Sequence, residues 1–251
     1  MKSLFRWSAT LGIVSSAVLW IGQTMTALAL PPEQIIQKLG PIPVFTIADE
    51  QGAPLVKTGE DNLKTAGVFI SQQDAQNFVA QLKQENPDLG GKVQVVPVSL
   101  GEIYELQKQN ATNAEGLKFA FVPEKSEVDS AKTVLSENGQ EYLGGVPLFV
   151  ARGGDQGYLT IQQNEQEVIP FFFEKEQLES MLTQFKQDKP ELASTIKIEV
   201  IPLESIIATL EESDDEMLTK IILWPSQEAI DFVRSSQTEA QPSPTETKPN
   251  Q

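Results

Sequence analysis

Two stretches of the chain place apolar residues at the same helical spacing. In residues 69–89 they fall at Ala75, Phe78, Val79 and Leu82; in residues 172–192 they fall at Leu178, Met181, Leu182 and Phe185. Both sets run i, i+3, i+4, i+7, the stripe of an amphipathic helix. Both helices are predicted to stop by the same device. Lys83 and Lys186 sit near the ends, where a cation suits the helix dipole. Pro87 and Pro190 follow, each with an acid and a leucine behind it. A shared stripe is common among unrelated helices; a shared stripe, stop and exit point to duplication.

The flanking pattern repeats too. After the first helix comes Val-Gln-Val-Val-Pro-Val over 93–98; after the second comes Ile-Glu-Val-Ile-Pro-Leu over 198–203. Upstream, Pro43-Val44-Phe45 corresponds to Pro147-Leu148-Phe149. Downstream, Phe121-Val122-Pro123 corresponds to Leu223-Trp224-Pro225, and Val128-Asp129 to Ile230-Asp231. The offset stays between 102 and 105 residues. Each unit is therefore domain-sized rather than a solenoid repeat.

Between these landmarks a common order emerges. In the first unit a short helix over 33–39 precedes a strand over 42–48, a turn at 49–52 and a return strand at 55–56. A buried strand over 66–70 leads into the stripe helix, opened by Ser71 and Asp74 as a capping box. A strand over 92–98, a helix over 99–110, a strand over 117–122 and a helix from Pro123 to Ser136 complete it. The second unit reads strand 146–151, glycine-rich turn 152–157, return strand 158–161 and apolar strand 168–173. The stripe helix, a strand over 196–203, a helix over 204–212, a strand over 221–224 and a helix from Pro225 to Ser235 follow. The fold class is α/β with a mixed sheet, duplicated as two similar lobes about a pseudo-two-fold axis. The expected organisation is a signal peptide at 1–29, a first α/β repeat at 30–140, a second at 141–236, and a disordered tail at 237–251. That tail is rich in Gln, Thr, Ser, Pro and Glu.

Residues 1–29 stand apart. Lys2 and Arg6 are their only charges, 11–21 are apolar or small, and Ala27-Leu28-Ala29 is an A-x-A cleavage site that leaves Leu30 first. The apolar run is short and interrupted by Ser15-Ser16, which favours a cleaved secretory signal over an anchor. The mature chain is then expected to be extracytoplasmic and not integral to a membrane. Its 17 basic and 35 acidic residues give a net charge of −18. Nucleic acid and anionic lipid both need basic surface, so neither is an expected partner.

The chain has no cysteine and no histidine. This excludes disulfides, a thiol nucleophile, thiolate or imidazole zinc, and every Ser-His triad. The glycine-rich 152–157 segment lies within a hairpin with no helix after it, so it lacks the geometry of a phosphate loop. The acidic run 211–216 lacks the spacing of a calcium loop. The one S-x-x-K match, Ser194 to Lys197, leads into a strand rather than a helix. No enzymatic activity, cofactor or metal is expected.

The richest apolar cluster is Phe171-Phe172-Phe173 with Met181, Phe185 and Trp224. Alternation puts Phe172 on the opposite sheet face from Phe171 and Phe173. One face is then core and the other is either core or an open groove. The groove candidates are Val68 and Ile70 in the first unit and Phe171, Phe173, Met181 and Trp224 in the second. An open apolar groove on a secreted, acidic protein fits extended or unfolded polypeptide.

The order Pro-Ile-Pro-Val-Phe-Thr-Ile (41–47), Gly67-Val68-Phe69-Ile70-Ser71, residues 93–98, Gly145-Val146-Pro147-Leu148-Phe149 and the 171–173 block resembles the Tic22-like family. This is the soluble twenty-two-kilodalton component of the chloroplast inner-envelope translocon, with its cyanobacterial relatives. The resemblance spans about residues 32–236, and the signal peptide resembles the cyanobacterial form. It implies a pseudo-symmetric α/β duplication with apolar pockets, acting in the periplasm, with peripheral association to the outer or thylakoid membrane as a further expectation. It also implies a chaperone-like role in protein transport and outer-membrane biogenesis. Its implied partners are precursor proteins and a β-barrel assembly protein. A scaffold subunit without client binding, or a lipid or small-ligand carrier, are the other readings the sequence leaves open.

Overall fold

The computed structural model describes residues 30–239 apart from 60–61, 112–115, 154–156, 189, 191–194 and 214. Ala27 and Ala29 of the cleavage site, the middle of the 152–157 turn, Ser194 and the end of the tail lie outside the described residues.

A short helix, α1 (Pro32–Leu39), precedes the duplication. The first unit is β1 (Pro43–Asp49), β2 (Val56–Thr58), β3 (Lys64–Phe69), α2 (Gln72–Glu85), α3 (Pro87–Gly90), β4 (Val93–Ser99), α4 (Leu100–Asn110), β5 (Leu117–Val122) and α5 (Lys125–Glu137). The second is β6 (Pro147–Gly153), β7 (Ile161–Gln163), β8 (Gln166–Phe172), α6 (Lys175–Asp188), β9 (Ile196–Pro202), α7 (Leu203–Glu212), α8 (Met217–Lys220), β10 (Ile221–Trp224) and α9 (Gln227–Glu239). The mixed α/β duplication read from the sequence is what the structure holds.

Each unit builds one five-stranded sheet of the same topology. β1 pairs antiparallel with β4, Pro43 opposite Ser99 through Asp49 opposite Val93. On its other side Phe45 faces Phe69 of β3, and β5 runs parallel along the far edge of β3. In the second sheet β6 pairs with β9, Phe149 faces Phe172 of β8, and β10 runs parallel to β8. β2 and β7 extend the hairpins, pairing with the first halves of β3 and β8. Between that pairing and the one to β1 or β6 lies a changeover, where a backbone N–H is not needed. Gly67 fills it in one sheet and Pro170 in the other, and a proline is tolerated there because it removes no ladder bond.

The β7–β8 hairpin is absent from the sequence reading. It turns on Asn164 and Glu165, with φ of 50° and 66°, the left-handed pair that a two-residue hairpin demands. Asn-Glu is a weak turn signal beside Asn-Gly, which is why the return strand was expected earlier, at 158–161. Ser71 does cap α2, accepting from the Asp74 N–H at 3.2 Å. The reciprocal capping box forms instead at α4, between Ser99 and Glu102.

The inner faces of the two sheets share a single core. Val44, Val68 and Ile70 of the first unit cluster with Leu148, Val150, Ile169, Phe171 and Phe173 of the second. Three helices fill the same core: α1 through Ile35 and Leu39, α4 through Leu100, Ile103 and Tyr104, and α7 through Leu203, Ile206 and Leu210. α1 and α4 cross closely at Gly101, where an added Cβ would stand 2.8 Å from the Ile36 carbonyl oxygen. Lys38 of α1 donates to the carbonyls of Thr219 and Ile221 at 2.7 and 2.9 Å, fixing α1 against β10.

The outer faces are covered by exchange. α2 packs on the first sheet with Ala75 and Val79, and beside it lies Phe232 of α9, the last helix of the second unit. Phe232 meets Phe45 edge to face, with ring centroids 5.4 Å apart. The second sheet is covered by α6 with Leu178 and Leu182, and by Ala131 and Val134 of α5 from the first unit. The exchange is locked by matched caps. Glu228 of α9 accepts from the N–H groups of Gln72 and Gln73 at 3.0 and 2.8 Å. Glu127 of α5 accepts from the Lys175 N–H at 3.0 Å. Each stripe helix thus has one or two of its N-terminal donors satisfied by the last helix of the other unit, in a geometry that also suits the helix dipole.

Two predictions follow from the exchange. Phe232→Ala removes a ring from the first sheet although it belongs to the second unit, and is expected to cost about 2–4 kcal/mol. Denaturant unfolding followed by far-ultraviolet circular dichroism should still show one transition, because neither unit closes its own core. The second concerns Glu127. Burial, then the charges of Glu124, Glu174 and Glu176, raise its carboxyl above the ordinary 4.5, against the opposing Lys175 hydrogen bond. A raised carboxyl contributes stability that is full below the ordinary value and fades as pH rises through the raised one. Glu127→Gln should remove that fade, so its melting temperature gains on the parent from pH 4 towards pH 7; a constant difference across that range would contradict it.

Candidate functional site

The structure separates the sequence-predicted groove residues into two groups. Val68, Ile70, Phe171 and Phe173 are all buried in the shared inner core. They are not an open groove. The alternation was right, but both faces of each sheet are covered, and the inner face is enclosed most completely because two sheets and three helices meet there. Met181 and Trp224 lie on the other face, at the rim of the outer core, and there they line an open cleft.

That cleft is one of a related pair. The first lies between the β2–β3 hairpin and α2, lined by Leu55, Lys57, Thr65, Gly67, Phe69 and Phe78, with a volume of about 450 Å³. The second lies between the β7–β8 hairpin and α6, lined by Ile161, Phe172, Gln177, Ser180, Met181 and Trp224, with a volume of about 440 Å³. Strand register fixes the correspondence. Lys57 stands opposite Thr65, and Ile161 opposite Val168. Phe69 matches Phe172, Phe78 matches Met181, and Val122, which also lines the first cleft, matches Trp224. Both clefts fall within the size range of ligand sites, and both are mainly apolar.

The floor of each cleft is an aromatic ring presented by the central strand. In the first, Phe78 stacks at a tilt on Phe69, centroids 5.6 Å apart, and is 42% exposed. In the second, Trp224 lies over Phe172 at the same 5.6 Å. Gly67 deepens the first cleft, since a Cβ there would press on the Phe69 ring at 3.3 Å. Gln177 adds a polar feature to the second: its Oε1 is buried with no hydrogen-bond partner. The sequence carried a signal for this pair. Phe78 and Met181 are the stripe positions furthest from the centre of the apolar face, and Phe69 and Phe172 alternate with the inner-core residues.

A third, smaller cleft of about 250 Å³ lies between α4 and α7. Its charged side chains are already engaged, Glu204 by the Val146 N–H at 3.0 Å. Lys108 meets Glu211 at 2.6 Å and sits over the Tyr104 ring at 5.6 Å. Burial first, then a hydrogen bond to Glu211 and its charge, raises the Tyr104 phenol above its usual value, so it stays protonated at neutral pH. Lys108 and Glu211 occupy equivalent positions in the two units, so this ion pair sits across the pseudo-two-fold axis. Among the described residues no group of three or more acidic side chains is placed to hold a metal ion. No helix among them is long and apolar enough to cross a membrane.

A family model described as the Tic22-like family matches residues 10–235. The pea (Pisum sativum) protein named TIC 22, chloroplastic, is 24% identical over 189 residues, which is 75% of this chain and 70% of that protein. The Arabidopsis thaliana protein of the same name is 24% identical over 186 residues, 74% of this chain and 64% of its own length. Among solved structures, Anabaena Tic22, described as a protein of protein transport, superimposes with a TM-score of 0.73 at 28% identity. That match covers 86% of this chain and 99% of the other. Tic22 from Plasmodium falciparum shares the fold, with a TM-score of 0.67 at 22% identity over 82% of this chain and 99% of the other.

A chain that begins at Leu30 contains one tryptophan, Trp224, which lines the second cleft and also a cleft of about 420 Å³ beside α1, so a fluorescence change is assigned to the second cleft by its loss in a Met181 variant. Hexanol titrated into the protein is expected to shift Trp224 emission to shorter wavelength. Met181→Asp, at the mouth of that cleft, should abolish the shift, and Phe78→Asp in the first cleft should leave it intact. An equal effect of both substitutions would contradict the separation of the clefts.

Proposed function

Because the chain belongs to the Tic22-like family, we propose that it is a protein-transport component that holds extended, apolar segments of precursor proteins in its two outer clefts. The observation that carries this reading is the pairing itself. Two clefts of nearly equal volume, 450 and 440 Å³, are built from the same strand, hairpin and helix in each unit. Each offers a ring on its floor and a half-covered apolar side chain at its lip. The mainly apolar lining is suited to gripping side chains.

The clefts lie on the outer faces of different sheets, with both sheets and the shared core between them. One short segment therefore fills one cleft, and a client that fills both wraps around the molecule. Burying one large apolar side chain gives about 1.5–3 kcal/mol. Two anchors give about 3–6 kcal/mol gross, part of which is offset by ordering the client. The linked sites act at high effective concentration, so the grip is reversible yet persistent. A hand-over protein needs such binding, and it runs without ATP or metal.

The proposed setting is the periplasm, reached through the signal peptide and cleavage before Leu30. The proposed partners are precursor proteins and, from the family resemblance, an outer-membrane β-barrel assembly protein. Outer-membrane biogenesis is the process served.

The test is suppression of aggregation of a urea-unfolded β-barrel protein, followed by light scattering after dilution. Near-stoichiometric protein is expected to suppress scattering by more than half, and the Phe78→Asp/Met181→Asp double variant to lose most of that effect while keeping its circular dichroism. No suppression by the parent at tenfold excess rejects client binding. Retention of the assembly protein on the immobilised chain, with no suppression, would replace it by a scaffold role.

A further inference from the structure

The two clefts share a geometry but differ in charge, and the difference sits at one matched position. Lys57 and Thr65 face each other across the β2–β3 ladder, on the same sheet side as Gly67 and Phe69. In the second unit the corresponding pair is Ile161 and Val168. The first cleft therefore carries an ammonium group and a hydroxyl on its hairpin wall, where the second carries the branched aliphatic side chain of Ile161. Lys57 takes part in none of the ion pairs formed among the described residues. In a mature chain with 35 acidic and 17 basic residues, a cation beside an apolar cleft, with no carboxylate on it among the described residues, stands out from the surrounding surface.

We propose that Lys57 makes the first cleft selective for an apolar anchor accompanied by a carboxylate, that is, an acidic side chain two residues from a large apolar one in an extended client segment. The inference rests on the client-binding reading above and adds a division of labour to it. The aromatic or aliphatic side chain packs against the stacked Phe69 and Phe78 rings. The neighbouring carboxylate reaches the Lys57 ammonium and the Thr65 hydroxyl at the wall. An extended segment presents side chains i and i+2 on the same side, about 7 Å apart, so ring and carboxylate enter the cleft mouth together and reach different walls. The second cleft, with Ile161, Phe172, Met181 and Trp224, has no cation to reward an acid and accepts anchors in neutral surroundings. The protein's net negative charge works against any acidic client at long range. Screening confines that repulsion to about 8 Å at physiological salt, while a contact at the cleft wall is less screened.

The test uses a reporter in each cleft. In the mature parent, Trp224 reports on the second, with Met181→Asp as the control that assigns the signal to that cleft. In the Phe78→Trp/Trp224→Phe chain, the single tryptophan reports on the first. Three peptides with blocked termini differ only at the positions two residues either side of one central phenylalanine, which hold Glu, Gln or Lys. At low salt the first-cleft reporter is expected to bind the Glu peptide three- to tenfold more tightly than the Gln peptide, with the Lys peptide weakest. The ratio should shrink at 0.5 M salt. Adding Lys57→Gln should bring the Glu peptide down to the affinity of the Gln peptide and leave the latter unchanged, which a merely structural lysine would not do. The second-cleft reporter should show no preference for Glu. Equal binding of Glu and Gln peptides at the first reporter, or a preference that survives Lys57→Gln, overturns the selectivity while client binding stands. Binding of decanoate with no response to any peptide overturns polypeptide as the occupant. Silence of both reporters to every peptide removes the client-binding reading as well.

Discussion

The constraint on which the whole molecule depends is that neither sheet can cover both of its own faces. Each unit supplies one stripe helix for its outer face and leaves room beside it. The last helix of the other unit fills that room: Phe232 of α9 on the first sheet, Ala131 and Val134 of α5 on the second. The inner faces are no more independent, because α1, α4 and α7 are sandwiched into a core contributed by both sheets. Removing either unit would expose apolar surface on both sides of the remaining sheet. The result is a duplication in sequence that is a single cooperative body in space. Many of its contacts join distant parts of the chain, an arrangement associated with slow folding.

The caps show how the exchange is specified. A helix that crosses to the other unit must be told where to stop, and apolar stripes alone are too alike to do so. Glu228 and Glu127 supply the address, each accepting from the free N–H groups at the start of a stripe helix. Glu174 returns the favour by accepting from Gln227 at the start of α9, at 2.9 Å. Several glutamates are thereby drawn together. Glu127 and Glu174 are shifted upward mainly by burial, with neighbouring carboxylates adding to it. The positive ends of the helices and the backbone N–H bonds offset part of this mutual repulsion.

The duplicated order of elements was legible because core positions recur at a nearly constant offset; the six-residue match of 93–98 to 198–203 found the right strands but was two residues out of register, since Val93 pairs with Asp49 as Ile196 pairs with Gly153. The exchange was not. The stripes of α5 and α9 say that one face of each is apolar, and nothing in them says which sheet receives it. Similarly, alternation in 68–70 and 171–173 separates the residues into two faces without saying which face is doubly enclosed. Both faces are apolar, so the choice depends on the packing of the partner unit. That is why Phe171, Phe173, Val68 and Ile70 belong to the interior, while the cleft floors are Phe69 and Phe172. Met181 and Trp224 could be found from sequence because each stands at the edge of its own apolar set, where helix and hairpin part. Lys57 was invisible, since a lysine in a three-residue strand looks like ordinary solvent-exposed surface until the ladder register sets it beside Thr65 and Phe69.

A protein that keeps half-covered rings at its surface must avoid capturing its own copies. Phe78 is 42% exposed, and Leu143, in the linker between the units, is 93% exposed. Exposed apolar groups of this kind promote self-association when the molecules carry little charge. The large excess of acidic over basic residues supplies a mutual repulsion that acts on folded copies equally from all sides. It acts far less on a neutral or basic segment of an unfolded chain, which carries no such field. The same charge that keeps the clefts free of other folded copies therefore leaves them open to extended segments. Recessing the rings between hairpin and helix adds a steric filter: a side chain on a free strand reaches them, and the flat face of another folded molecule does not.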